Sequence, residues 1–261
     1  MTNIGKRTIV MTINRPQLPF HPSWLVTAEL GRNPDAADNY DGASVCRYTG
    51  DTTAHTTANM SALMAETRLD TVVQPRQRHT NHVAIVDAGN YREAFDGIDA
   101  VVTSTPGILI GINTADCVPI LLCDVSRRII GAVHAGWRGT AARIVDTAID
   151  AMLSLGANRP DIVAYIGAAI CGHCYEVGSE VVDAIANASV PTSQFLVTDT
   201  RWSKPHVDLK AANRAILEQN GIEPARIAIS PVCTLTTPSC YSARRQGIDS
   251  GRNFTAIGMR K

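Results

Sequence analysis

From Asn113 to Thr140 the chain alternates between continuous apolar runs and short polar breaks. Residues 118–123 and 129–133 are apolar throughout, the length of strands buried on both faces. Residues 124–128 between them are a polar turn. Two strands joined so tightly are predicted to pair as an antiparallel hairpin. Cys117 then stands just before the first strand and His134 just after the second, and pairing brings a thiol and an imidazole together.

The same pattern extends along the chain. Strands are predicted over residues 71–77, 83–87, 100–103, 108–112, 162–166, 227–230 and 253–257. Ile144, Val145, Ala148, Ile149 and Met152 fall at helical spacing, which predicts a helix over residues 140–155 ended near Gly156. Further helices are predicted over residues 58–69, 179–188 and 209–220. Residues 1–30, with Pro16, Pro19 and Pro22, read as strand and loop, and residues 31–59 as a long polar surface loop carrying V-C-R-Y-T-G-D at 45–51. There is no repeat or low-complexity linker, and hairpins mix with helices instead of alternating as βαβ units. That predicts an α+β fold, one domain over residues 1–261 built as a mixed β-sheet sandwich flanked by helices.

Composition narrows the function classes. Hydrophobic residues are 45% of the chain, enough for a sizeable core. The formal net charge is +0, which gives no general electrostatic attraction to nucleic acid or an acidic membrane. No apolar run reaches membrane-spanning length, and the N-terminal stretch lacks a signal-peptide core, so a cytoplasmic location is expected. Seven cysteines, an odd and irregularly spaced set, argue against a disulfide framework and for buried, catalytic or metal-bound thiols. Monomer and homodimer are equally open.

Four groups of residues carry candidate chemistry. His79, Cys117 and His134 are a ligand set suited to Zn²⁺ or copper. Three protein ligands leave one position open for catalysis, and an ion there lowers the pKa of a bound water to roughly 7. His82 competes with His79, since on a strand residues three apart point to opposite faces. In H-A-G-W-R-G-T, Gly136 and Gly139 permit a tight turn into a helix whose start offers N–H groups to an anion. Trp137 there could stack on a planar ligand and Arg138 bind phosphate or carboxylate. Arg244 and Arg245 in C-Y-S-A-R-R are anion forks. Cys171 and Cys174, with Cys233 and Cys240, could make a structural zinc site or a redox pair, although the last two are spaced too widely for a zinc knuckle.

Together T-A-D-C-V-P-I-L-L, I-G-A-V-H-A-G-W-R-G-T, I-G-A-A-I-C-G-H-C-Y-E-V-G, Y-T-G-D and the tail Y-S-A-R-R…G-R-N-F-T-A-I-G-M resemble the YfiH-like family, labelled polyphenol oxidase or laccase domain. The resemblance runs from about Val26 to Met259. It implies a mixed helix-and-sheet domain related to the cysteine deamidase of cytotoxic necrotizing factor, and a metal held by His79 (in Q-R-H), Cys117 and His134. It also implies phosphorolysis of adenosine, inosine and methylthioadenosine with phosphate, deamination of adenosine, and in some members copper-dependent oxidation of phenols. A cysteine hydrolase with Cys117 as nucleophile and His134 as base is a further alternative. Four positions depart from the family pattern: Ser44, counted here with the substrate-binding residues, replaces an Asn, Met60 stands where an Arg suited to phosphate is usual, Thr80 follows Q-R-H where a small residue is common, and His173 stands where a Cys or another residue is often seen.

Overall fold

The structure is a computed structural model and describes residues 13–36 and 38–261. The expectations for residues 1–12 lie outside the described residues. In chain order the strands are β1 (Leu25–Leu30), β2 (Thr71–Val73), β3 (Val83–Ile85), β4 (Ala100–Thr103), β5 (Ile108–Thr114), β6 (Val118–Asp124), β7 (Ile129–Ala135), β8 (Ile162–Ile166), β9 (Leu196–Val197), β10 (His206–Val207), β11 (Ile227–Ile229) and β12 (Asn253–Met259). The helices are α1 (Thr53–Thr67), α2 (Trp137–Ala141), α3 (Ile144–Ser154), α4 (Ser179–Asn187), α5 (Thr192–Phe195), α6 (Leu209–Gln219) and α7 (Ala243–Gln246).

Two mixed sheets pack face to face, with strand orders β1-β12-β5-β2 and β11-β8-β6-β7-β4-β3. The alternation of side chains along each strand assigns the layers. In β6, Ile120 and Leu122 face α3 and α6, whereas Leu121 and Cys123 meet Ile110, Ile112 and Ile257 of the other sheet. In β12, Ile257 and Met259 point into that inter-sheet core, while Phe254 and Ala256 turn outward onto Leu63 of α1. The order is therefore helix, sheet, sheet, helices. Strands buried on both faces carry unbroken apolar runs, which is why β6 and β7 are legible as such.

The predicted hairpin forms, with Val118 opposite Ala135 and Cys123 opposite Ile130. β7 runs further than predicted, to Ala135, so His134 lies in the strand, opposite Pro119, instead of after it.

Other predicted bounds are corrected. The strand predicted over 71–77 stops at Val73. Pro75 lacks the N–H needed to continue a ladder. The helix predicted over 140–155 is two helices, broken at Arg143 with φ 53°. The Arg143 guanidinium reaches across that break to Ala188 O and Gln219 Oε1, both at 2.8 Å. The loop predicted over 31–59 ends earlier, because Thr52 caps α1 by accepting from His55 N at 3.2 Å. Nor is all of it at the surface: Ser44 and Val45 are fully buried. The short elements α5, β9 and β10 were not predicted. No helix among the described residues is long and apolar enough to cross a membrane.

Candidate metal centre

Cys117 precedes β6, His134 is the last residue but one of β7, and His79 sits in the loop between β2 and β3. Their donor atoms all lie within 4.8 Å of one another. Cys117 Sγ is 3.8 Å from His79 Nε2. The rings of His79 and His134 meet edge to face, centroids 4.9 Å apart. His134 is buried, Cys117 half-buried and His79 exposed, so the group opens to solvent on one side.

Asp99 organises this group. Its Oδ1 accepts from His134 Nδ1 at 2.7 Å and from His79 N at 3.0 Å. Its Oδ2 accepts from Arg78 N at 3.0 Å and Thr80 N at 2.9 Å. One carboxylate thus fixes the His134 ring and the backbone that presents His79, whose φ is 60°. Residues 78–82 are therefore a loop pinned by Asp99, and the alternation of a strand does not decide between the two histidines; His82 is exposed and outside the group. A histidine whose Nδ1 is held by a carboxylate is oriented to offer Nε2 to an ion. One thiol and two imidazoles at this spacing could hold zinc or copper, with a fourth position facing the cavity.

The same contacts set the charges. Burial works against ionisation of Asp99, but the hydrogen bonds from His134 and the Thr80 and Arg78 amides outweigh it and hold the carboxyl well below the usual range. Burial likewise opposes the Cys117 thiolate, yet the charge of His134 and hydrogen bonds from both histidines bring the thiol down to about 6. Burial lowers His134, and the Cys117 thiolate and Asp99 more than reverse that and raise it.

Gly136 links β7 to α2, and it has a backbone any residue could adopt, with φ −72° and ψ 173°. The conformational freedom expected of it is not what the site uses. A Cβ there would lie 3.0 Å from both Cys117 Sγ and His79 Cδ2, so the position is glycine for want of space.

The group forms one wall of a cavity of about 980 Å³, also lined by Tyr48, Arg76, Trp137, Arg138, Tyr175 and Arg244. The Arg138 guanidinium lies 4.1 Å from the Trp137 ring centre and that of Arg244 5.4 Å from Tyr175. Arg244 also donates to Glu176 O at 3.1 Å, and its amide donates to Asp116 Oδ2 at 2.7 Å. Asp116 takes a hydrogen bond from Thr234 Oγ1 at 2.6 Å, which ties three loops together beside Cys117.

Two predicted residues are elsewhere. Arg245 does not line the cavity; its guanidinium donates to the carbonyls of Thr234, Leu235, Thr237 and Cys240. Ser44 is buried behind the wall, where its Oγ accepts from Arg252 N at 3.1 Å. Met60 packs with Leu63 and Phe254 in the outer core and does not line the cavity. Asp99, Asp116, Arg76 and Tyr175 were missed. Asp99 and Asp116 stand next to an apolar strand and a candidate ligand, the only signals they give.

A family model described as multi-copper polyphenol oxidoreductase laccase matches residues 30–260. The chain is 41% identical over 233 residues to a protein named adenosine deaminase RL5 from an unknown prokaryotic organism, covering 85% of this chain and 89% of that one. It is 33% identical over 234 residues to a purine nucleoside phosphorylase of Bacteroides thetaiotaomicron, covering 85% and 87%. The solved structure of the hypothetical protein YfiH of Bacillus licheniformis matches with a TM-score of 0.83 at 26% identity, covering 91% and 94%. The sandwich that carries the His79, Cys117 and His134 group is thus shared along nearly the whole chain, and the protein belongs to the YfiH-like, laccase-model family.

Proposed function

We propose that the protein is a metal-dependent purine nucleoside enzyme. It phosphorolyses adenosine, inosine and methylthioadenosine to the free base and the (methylthio)ribose 1-phosphate, and it deaminates adenosine to inosine. The observation that carries this reading is the three-donor group, oriented by Asp99, in the wall of a cavity rimmed by arginines and aromatic rings. The names of the two relatives support both reactions.

His79, Cys117 and His134 hold the ion, Zn²⁺ or Cu²⁺. Bound there, such an ion would supply the Lewis acidity that activates water near neutral pH in zinc deaminases. Trp137 and Tyr175 offer flat apolar surface to the base. Arg138 and Arg244 bind phosphate as charge-assisted donors, joined by Arg76. In phosphorolysis a phosphate oxygen attacks C1′ of the ribose while the bond to the base breaks, and the arginines hold the attacking anion in line. In deamination water adds at C6 and ammonia leaves; no phosphate is needed.

Two other readings have an observation behind them. The family description and the Cys-and-His donor set favour oxidation of phenols with copper at the same group. The contiguous Cys117, His134 and Asp99 have the order of nucleophile, base and orienting acid, which favours a cysteine hydrolase. Metal-analysed protein incubated with adenosine, with and without phosphate, tests the nucleoside reading against these two. Adenine formed only with phosphate supports phosphorolysis, and inosine formed without it supports deamination. If neither product forms and the Cys117→Ala variant holds as much metal as the wild type, the nucleoside reading is wrong.

A further inference from the structure

The four thiols that the sequence left unresolved do not stay together: three converge and Cys240 stands apart. The sulfurs of Cys171, Cys174 and Cys233 all lie within 4.8 Å of one another, as do the donors of the first centre. All three are free thiols.

The backbone builds this cluster. Residues Gly172–Cys174 form a single 3-10 turn, closed by Cys174 N donating to Cys171 O at 2.9 Å, which puts the two cysteines of C-x-x-C on one side. Cys233 arrives by a parallel bridge to Ala169, secured by Thr234 N donating to Ala169 O at 3.1 Å. The amide of Cys171 then points at the third sulfur, donating to Cys233 Sγ at 3.2 Å. A hydrogen bond to the charged form of a group favours that form, so this amide favours a thiolate over a thiol. Cys233 is buried, while Cys171 and Cys174 are half-exposed and leave an entrance. His173, between them, is turned edge-on to Trp202 with ring centroids 5.8 Å apart, and is not one of the grouped donors.

We propose that Cys171, Cys174 and Cys233 form a second metal site, which takes one thiophilic closed-shell cation, Zn²⁺ or Cu⁺, on three thiolates. Soft thiolate ligands select these two ions. Cu⁺ is satisfied by the three sulfurs, whereas Zn²⁺ completes its tetrahedron with a solvent molecule at the exposed side. The thiol protons pass to solvent on binding. A redox C-x-x-C is less suited to this geometry, because its low-pKa cysteine usually begins an α-helix, and here Cys171 opens only a three-residue 3-10 turn. The site lies in a telling place. Tyr175 of the cavity wall follows Cys174, and Thr234, which donates to Asp116 beside Cys117, follows Cys233. A cation on the three sulfurs clasps these two segments behind the substrate cavity.

The test counts metal in protein purified without oxygen and loaded with Zn²⁺ in one arm and Cu⁺ in the other. The proposal expects the Cys117→Ala variant, stripped of the first centre, to keep one equivalent of at least one of these ions, and the Cys117→Ala, Cys174→Ser double variant to keep none. In the Cys117→Ala background, Co²⁺ should give the strong absorption of sulfur ligation. Equal metal in the single and double variants, or none in either arm, overturns it. Because this comparison is made without Cys117, it stands apart from the nucleoside reading, which fails instead if metal-loaded wild type and Cys174→Ser form neither adenine nor inosine from adenosine. Should the serine variant fail to fold, alkylation of the wild-type protein decides. Labelling of Cys171 and Cys174 should slow about tenfold at free metal ten times the dissociation constant. Labelling that metal leaves unchanged, or an intact Cys171–Cys174 disulfide that excludes metal, overturns the proposal.

Discussion

Asp99 Oδ1 lies 2.7 Å from His134 Nδ1 while the same carboxylate receives the amides of residues 78, 79 and 80. Replacing it with asparagine keeps the size and removes the charge. We expect Asp99→Asn to weaken metal binding about 10- to 100-fold, the usual effect of losing a partner that orients a ligand. Competition with a chromophoric chelator measures it. Unchanged affinity would mean that His134 is not a ligand.

The Gly136→Ala variant adds a single methyl group 3.0 Å from Cys117 Sγ and His79 Cδ2. The expected result is loss of the ion and of activity, with a stability cost of about 1–3 kcal/mol typical of overpacking. Metal content and thermal unfolding report the two effects separately. A variant with full metal content shows that the donors can move apart, and the glycine is then not required by them.

Arg138 and Arg244 face the cavity, whereas Arg245 braces a loop. Arg138→Ala and Arg244→Ala should each raise the KM for phosphate about tenfold or more, as the loss of one charge-assisted hydrogen bond predicts. Their phosphate-independent conversion of adenosine to inosine should change less. Arg245→Ala should leave the phosphate KM alone and lower the unfolding free energy by about 1–3 kcal/mol, since it strands several carbonyls. If Arg245→Ala moves the phosphate KM and the other two do not, the anion site has been placed on the wrong arginines.

Cys117 in metal-stripped protein should be alkylated rapidly at pH 7. Its thiol is brought down to about 6, so the thiolate predominates at neutral pH and is lost as the pH falls through that value. The rate of iodoacetamide labelling at Cys117 should therefore drop on the acid side of about pH 6, and added Zn²⁺ should suppress it at pH 7. A rate that rises only above pH 8 would show an ordinary thiol.

The central part of the fold was legible because β6 and β7 are buried on both faces and so write themselves as apolar runs. The same hairpin made the pairing of Cys117 with His134 readable from spacing. Less of the third donor was readable. His79 is set by Asp99, a long-range contact that leaves no periodic trace; strand alternation, which said only that one of His79 and His82 faces the site, does not apply to this loop, and the choice of His79 came from the family resemblance. Arg245 illustrates the reverse difficulty. Its neighbour reaches the cavity and it does not, a difference decided by which way one short helix turns. The family pattern likewise pointed to Met60 and Ser44, whose burial could not be seen in a polar stretch of sequence. The three-thiol cluster was hidden because a bridge between distant segments, not a second close-spaced pair, supplies its third sulfur.

The three donors of the first centre come from one end of three neighbouring strands: Cys117 before β6, His134 at the end of β7, and His79 on the loop that Asp99, just before β4, holds in place. Their assembly is unequal in time. The β6–β7 hairpin closes over a short stretch of chain, so two donors meet early in folding. The loop that carries His79 is fixed only once β3 lies parallel to β4 and β4 pairs with β7, contacts of higher sequence separation than the hairpin. A chain with only the hairpin closed would present a thiol and an imidazole without their third partner, and the three-donor geometry would be complete only when the loop that carries His79 is in place.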